Sequence, residues 1–192
     1  MAYFKILVLK TSKNTNMKKL LVFPLLICAL IFSTESMAQK FSGLDKSPLD
    51  QVTFPMGHRD ADKSVRILYS RPQLKGRSLF DLAPQGKVWR TGANEATEIT
   101  FYKDATMGGQ KIDAGTYSLF TIPGEKEWTI ILNRNLHQWG AFSYEKGADV
   151  ARIPAKVSVG EENLEAFSMT FNENGDLIMG WGTTRVGVPI SY

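Results

Sequence analysis

Thr116-Tyr117-Ser118-Leu119-Phe120-Thr121-Ile122, then Pro123-Gly124-Glu125-Lys126-Glu127, then Trp128-Thr129-Ile130-Ile131-Leu132 carries the clearest structural signal in the chain. Both flanking runs are rich in β-branched and aromatic residues, the types that suit a pleated, half-buried surface. In the first run Tyr117, Leu119 and Thr121 fall on one face and Ser118, Phe120 and Ile122 on the other, the two-residue period of a strand. Pro123-Gly124 supplies a turn between them. The reading is a β-hairpin.

Outward from it, the same signature recurs. Val65-Arg66-Ile67-Leu68-Tyr69, Glu98-Ile99-Thr100-Phe101-Tyr102 and Lys156 to Val159 read as strands. Phe167-Ser168-Met169-Thr170-Phe171 alternates cleanly. Asn172-Glu173-Asn174-Gly175-Asp176 follows, and its Asn-Gly marks a second hairpin that returns through Leu177 to Trp181. Arg185 to Ile190 closes the set. About eight or nine strands at this spacing predict an all-β fold, an antiparallel β-sandwich of jelly-roll-like type. One or two short helices are expected: one over Leu79 to Leu82, the other over Asn135 to Glu145. In the second, Leu136, Trp139 and Phe142 stand near helical spacing, although Gly140 weakens it. There is no repeat, long linker or low-complexity tract, so residues 51–192 read as a single domain.

The beginning of the chain is of another kind. Met17-Lys18-Lys19 is basic, Leu20 to Phe32 is almost unbroken apolar sequence, and Ser36-Met37-Ala38 places small residues where a signal peptidase reads them. Residues 1–38 therefore read as a signal peptide with its start at Met17 and cleavage before Gln39. The apolar run is shorter than the about 20 residues a membrane span requires, so no retained membrane anchor is expected. Ile27, before Cys28, is not the small residue that lipidation requires. Residues 39–50 form a polar lead-in with Gly43, Ser47 and Pro48. Export implies a periplasmic or extracellular protein.

That leader also accounts for the charge. The chain has 23 basic and 19 acidic residues, and five of the lysines and one glutamate lie within residues 1–38, so the remainder is charge-balanced. A balanced chain lacks the concentrated basic footprint that nucleic acid requires. Cys28 is the one cysteine. Disulfides, thiolate catalysis and cysteine-ligated metals are thereby excluded from residues 39–192. A domain of this length buries roughly 70% of its unfolded surface and can be held by its core alone.

The chain has no glycine-rich phosphate loop, dinucleotide fingerprint or Gly-x-Ser-x-Gly elbow, and no cofactor is expected. His58 and His137 are far apart and have no local ligand spacing, so no metal site is expected. His58 reads as a turn residue after Gly57, and His137 as a loop or helix-surface residue. The polar signal is Val88-Trp89-Arg90-Thr91-Gly92-Ala93-Asn94-Glu95-Ala96-Thr97, which follows neither the helical nor the strand period. The strand end Tyr69-Ser70-Arg71-Pro72, the following Lys75-Gly76-Arg77 and Lys87 accompany it. Residues at strand ends are where binding groups sit on β scaffolds. Arg71, Arg77, Arg90, Asn94 and Glu95 are the binding candidates, with Tyr144 and Arg152 joining them. A guanidinium fork suits carboxylate or phosphate, so a pocket of these residues would take a small anionic or carbohydrate ligand.

Glu95 is the candidate catalytic acid or base. Glycoside chemistry would require a second carboxylate, such as Asp113 or Asp149, about 5–10 Å away. The same residues also fit a structural network: an Arg–Glu pair fixing a loop, Asn94 capping a turn and Trp89 anchoring the core. Trp128, Trp139 and Trp181 fit a sugar-stacking platform, but large aromatics in a sandwich more often form core. Three functions stay open on the residues alone: a binding module, a hydrolase using Glu95, and a structural, envelope-associated protein.

The runs just quoted, together with Ser47-Pro48, Gly86-Lys87, Ala114-Gly115-Thr116-Tyr117-Ser118-Leu119-Phe120, Trp128 to Asn133 and Gln138-Trp139-Gly140, resemble the bacterial domain-of-unknown-function family numbered 2911. The resemblance covers nearly all of the chain beyond the leader. It implies an exported, β-rich domain and no assigned activity. Arg71, Pro72, Gly76, Arg77, Trp89, Arg90, Gly92, Asn94, Glu95 and Thr97 fall on the family's motif. Asp81-Leu82 after Phe80 departs from it, since the family often has Gly there.

Overall fold

The computed structural model describes residues 39–57 and 59–192. The leader assigned to residues 1–38 and the turn assigned to His58 lie outside the described residues. The chain divides into Met1–Gly43 and Leu44–Tyr192. Of the first, Gln39 to Gly43 is described, an exposed stretch without regular secondary structure. Among the described residues no helix is long and apolar enough to cross a membrane.

Leu44–Tyr192 is built of strands: β1 (Leu49–Phe54), β2 (Val65–Ser70), β3 (Thr97–Phe101), β4 (Ala105–Met107), β5 (Gln110–Ile112), β6 (Gly115–Ile122), β7 (Glu127–Asn133), β8 (Asp149–Phe171), β9 (Leu177–Val188) and β10 (Ile190–Ser191). Seven of them form one sheet in the order β1-β2-β3-β6-β7-β8-β9, and three form a small sheet, β10-β4-β5. Every pairing is antiparallel. The architecture is mostly β and sandwich-like, with the large sheet curled towards a half-barrel.

The curl comes from β8, a strand of 23 residues. Its first part pairs with β7, and its second with β9 through register shifts at Val159/Leu164 and Leu164/Ser168. Such irregularities bend a strand and increase its twist. The bent end of β8 returns to the chain just after β2: Phe167 N donates to Pro72 O at 2.9 Å, and Leu74 N to Glu165 O at 3.0 Å. The segment after β2 and the second part of β8, more than 90 residues apart in sequence, are thereby stitched together.

The alternation read in the central hairpin holds. Leu119 faces the main core with Ile67, Ile99, Ile130 and Ile153, all essentially inaccessible. Phe120 faces the other way, into a smaller cluster with Ile131 and Ala96, where Val88, Ile122, Ala141 and Tyr144 pack. β6 and β7 are therefore apolar on both faces because both faces are covered. Trp89, Trp128, Trp181 and Phe167 form the aromatic centre of the main core. The Trp89 and Trp181 rings stack at 5.6 Å with 12° between planes, and Trp128 stands edge-on to Trp89 at 6.1 Å.

The short helix α1 (Leu79–Leu82) forms as expected. Ser78 Oγ accepts from Asp81 N, and the Asp81 carboxylate accepts from Ser78 N, a reciprocal cap. The Asp81 carboxylate is thus what closes this turn. The second expected helix is absent. Residues 135–145 form a loop, followed by a 3-10 turn at Lys146–Ala148. His137 and Gly140 take left-handed backbone angles, φ 57° and 69°, which interrupt the helical hydrogen-bond ladder. Trp139 and Phe142 point out rather than forming a buried stripe.

Four further features differ from the sequence reading. β1 (Leu49–Phe54) is not among the strands read from the sequence, and it begins inside the stretch read as lead-in. β4 and β5 were not expected; they join through Gly108 and Gly109, both at positive φ, which permits a tight reversal. Lys156–Val159 and Phe167–Phe171 are parts of one long strand, β8. Leu177–Trp181 likewise joins the following segment in β9.

Candidate functional site

The Val88–Thr97 run is a loop inserted into a strand. Trp89 continues the line of β3 along β6: its N–H donates to Thr121 O at 2.7 Å, and Thr121 N–H donates back at 2.9 Å. Thr97 N then donates to Arg90 O at 3.0 Å. Residues 91–96 leave the sheet between those points and rejoin it. The excursion needs left-handed angles at Thr91 (φ 55°) and Asn94 (φ 60°). For a β-branched residue that conformation is costly and persists only where surroundings fix it. Here they do: Thr91 is fully buried, its carbonyl accepts from Thr97 Oγ1 at 2.7 Å, and its hydroxyl meets Thr121 Oγ1 at 3.2 Å. Gly92 lies so close to Ser70 that a Cβ would stand 2.9 Å from the Ser70 carbonyl oxygen.

A second loop docks on the first. Ala96 N donates to Gln138 O at 2.8 Å, and Gly140 N to Asn94 O at 3.0 Å. Ser118 Oγ holds Asn135 O at 2.7 Å. Glu98 Oε1 accepts from His137 N at 3.1 Å and lies 3.2 Å from its Nδ1. These bonds set Trp139 opposite Glu95, and the Trp139 side chain stays open to solvent, 64% exposed.

Between them is a cleft of about 370 Å³. Leu68, Tyr69 and Ser70 of β2 line it, with Asn94, Glu95, Ala96 and Glu98, and with Asp45, Leu49 and Trp139. Leu68 and Glu98 are register partners across β2 and β3, so the cleft opens on the face of the sheet away from the main core. Its polar and aromatic lining comprises three carboxylates, one amide, the exposed Trp139 indole, Ser70 and the largely buried Tyr69. The arrangement can accept hydrogen bonds from hydroxyl or ammonium groups and stack an apolar ring face.

The candidates read from the sequence are distributed over several places. Asn94 and Glu95 reach the cleft, and Glu95 is exposed rather than sealed against an arginine. Arg71 is a tie between distant segments. It donates to Asp50 Oδ2 at 3.1 Å, to Phe167 O at 3.0 Å and to Ser168 Oγ at 2.7 Å. Arg77 folds back on its own loop, donating to Leu74 O and Gln73 O. Arg90 is half-buried, its Nε has no hydrogen-bond partner, and burial lowers its pKa from the ordinary value. Lys87, three residues earlier, is exposed. None of these four lines the cleft.

Tyr144 and Arg152 belong to a separate network. The Tyr144 hydroxyl donates to Asp149 Oδ2 at 2.6 Å, and Arg152 donates to the same oxygen at 2.7 Å and to the Tyr144 oxygen at 2.9 Å. Asn133 occupies the other Asp149 oxygen at 2.8 Å. Burial, with the adjoining Asp149 carboxylate, pushes the Tyr144 phenol up to about 12. Asp149 is thus occupied and is no partner for Glu95. Asp113 lines a different hollow, with Asp104, Lys111 and Tyr192. The carboxylates that share the cleft with Glu95 are Asp45 and Glu98 instead. Among the described residues no group of three His, Cys, Asp or Glu side chains is placed to hold a metal ion.

Sequence reasoning missed Asp45, Glu98 and the exposure of Trp139. Glu98 lies within a strand run, where alternation marks it as outward but not as part of a site. Asp45 is brought in by the path of the lead-in. Trp139 carried a usable signal: it stands in polar sequence, between Gln138 and Gly140, away from any alternating run.

Residues 47–190 match the family described as Protein of unknown function (DUF2911). The chain belongs to this family. The DUF2911 match runs from just before β1 into β10, so the inserted loop, its docking loop and Trp139 all fall within it, whereas Asp45 lies outside. No curated protein and no solved structure matches the chain. Membership in DUF2911 therefore defines the domain, and the chemistry has to be argued from the cleft.

Proposed function

We propose that this is an exported carbohydrate-binding protein whose site is the cleft between the Trp89–Thr97 loop and Trp139. The observation that carries the reading is the exposed Trp139 indole held by backbone pairing across from Glu95. Of the four tryptophans, the other three are buried in the core, and Trp139 alone faces solvent beside a cleft. Sugar rings present apolar C–H faces that stack on an indole, while their hydroxyls donate to carboxylate and amide oxygens. Asn94, Glu95, Glu98 and Asp45 supply those acceptors. Carboxylates on the wall disfavour an anion at this point, and the arginines that suit an anion lie elsewhere. The signal-like character of residues 1–38 supports export.

The test is a tryptophan-fluorescence titration with neutral oligosaccharides, amino sugars and organic acids. Neutral or amino sugars are expected to change the emission, organic acids are not, and Trp139→Ala should abolish the response. Binding of organic acids alone would overturn the proposal. The presence of Glu95 and Glu98 in one cleft favours a hydrolase as the second reading. Release of new reducing ends by the parent protein, lost in Glu95→Gln while binding persists, would establish it.

A further inference from the structure

The cleft does not end at Asp45 and Leu49. Both residues also line a second hollow of about 570 Å³, formed with Leu44, Lys46, Pro48, Gln73 and Lys75. The two hollows adjoin at the start of β1, and we take them together as one extended groove. Each alone is within the about 300–1,000 Å³ of a small-molecule site, so together they exceed what a single sugar ring fills.

The walls are mostly apolar and carry a few charged groups. Glu95 and Glu98 stand with Trp139 at one end, Lys46 and Lys75 at the other, and Asp45 on the wall between them. Among the described residues neither lysine takes part in an ion pair. The walls of the lysine end are nevertheless fixed by backbone. Arg71 N donates to Pro48 O at 3.0 Å, Asp45 Oδ1 accepts from Ser47 N at 2.6 Å, and Lys75 N donates to Glu165 Oε1 at 2.6 Å. Two unpaired ammonium groups on an anchored rim match an anionic group on the ligand, and the carboxylate end matches its uncharged portion.

We infer that the groove takes an oligosaccharide of several units bearing a uronic acid, with an uncharged unit on Trp139 and the uronate towards Lys46 and Lys75. This rests on the carbohydrate reading of the cleft and extends it to chain length and charge. The Trp139 end supplies stacking, which is tolerant of sugar identity, and the lysine end supplies the selection for an acidic unit.

The experiment is calorimetric and fluorescence titration with β-linked glucose oligomers from the monosaccharide to the hexasaccharide, and with the same oligomers oxidised to a uronate at one terminal unit. Affinity should rise with length beyond the disaccharide, and each uronate-bearing oligomer should bind more tightly than its neutral counterpart. Lys75→Gln and Lys46→Gln should each reduce that uronate-over-neutral ratio by about two- to fivefold, the effect of one exposed ion pair. If neutral disaccharides bind as well as every longer or acidic oligomer, and the lysine variants keep the parent ratio, the extended groove is refuted while the cleft reading stands. If no saccharide binds at all, both fall. Binding of short zwitterionic peptides with no response to uronates would overturn the inference in favour of a peptide groove.

Discussion

Trp89 and Trp139 are both held by backbone pairing at the inserted loop and meet opposite fates. Trp89 sits at the start of the inserted loop, on the line of β3, and is 5% exposed within a stack of aromatic rings. Trp139 pairs through its backbone with Glu95 on the far side of the same loop and is 64% exposed. The residue type is identical; the path of the chain decides. The loop between them is likewise divided. Thr91, Gly92, Ala93 and Ala96 are buried and hold the scaffold, whereas Asn94 and Glu95 reach the cleft. A structural network and an accessible site are thus two parts of one run of sequence rather than alternative accounts of it.

The sharpest way to break this contrast is on the buried side. Trp89→Ala removes a ring that contacts Trp128, Trp181 and Phe167. It should cost about 3–5 kcal/mol in chemical denaturation. A loss below about 1 kcal/mol would mean that the stack does not anchor the loop. Gly92→Ala comes next. Its Cβ would meet the Ser70 carbonyl oxygen at 2.9 Å, so backbone has to shift. A loss of about 1–3 kcal/mol is expected, and parent-like stability would show that the loop has room to spare.

Tyr144 permits a test by pH on the outer face of β6. The folded protein holds this phenol protonated above its ordinary value of 10.0, up to about 12. Its contribution to stability is therefore complete below pH 10 and is lost as pH rises through about 12. Tyr144→Phe should flatten part of the stability fall in that window. Part of the fall should remain, because burial also raises Tyr69 and Tyr192. An unchanged profile in the variant would show that the Tyr144–Asp149 bond contributes nothing.

The smallest effects on stability belong to the accessible side. Glu95→Gln and Trp139→Ala should each stay within about 0.5 kcal/mol of the parent, as exposed positions do, while saccharide binding is lost. A large drop in stability for Glu95→Gln would contradict its exposed position and return the carboxylate to a structural role.

Much of the fold was legible because alternation is a local property. The hairpin around Pro123-Gly124 and the one around Asn174-Gly175 each carry their register in their own residues. The expected helix over Asn135 to Glu145 failed for an equally local reason working against the pattern. Apolar spacing at Leu136, Trp139 and Phe142 imitated a helix, but positive φ at His137 and Gly140 and the pairing of Gln138 and Gly140 with the inserted loop drew the segment into a different path. The short β4–β5 pair escaped notice because three-residue strands are too brief to show a period. At the site, the composition of the Trp89–Thr97 run marked it as special, yet the arginines that made it look anion-binding, Arg71 and Arg77, are used in holding strands and loops.

Local sequence is enough to mark an antiparallel β domain of the DUF2911 family, the apolar faces of its central strands, and the run that carries unusual chemistry. Those are statements about neighbours along the chain. Only the tertiary structure decided that Asn94 and Glu95 share a cleft with Asp45, Glu98 and Trp139, and that Arg71, Arg77 and Tyr144 do not. The physical reason is that the cleft is made by loops that dock on one another through backbone hydrogen bonds. Nothing in the local pattern of residues 45, 95 and 139 records that these three positions meet.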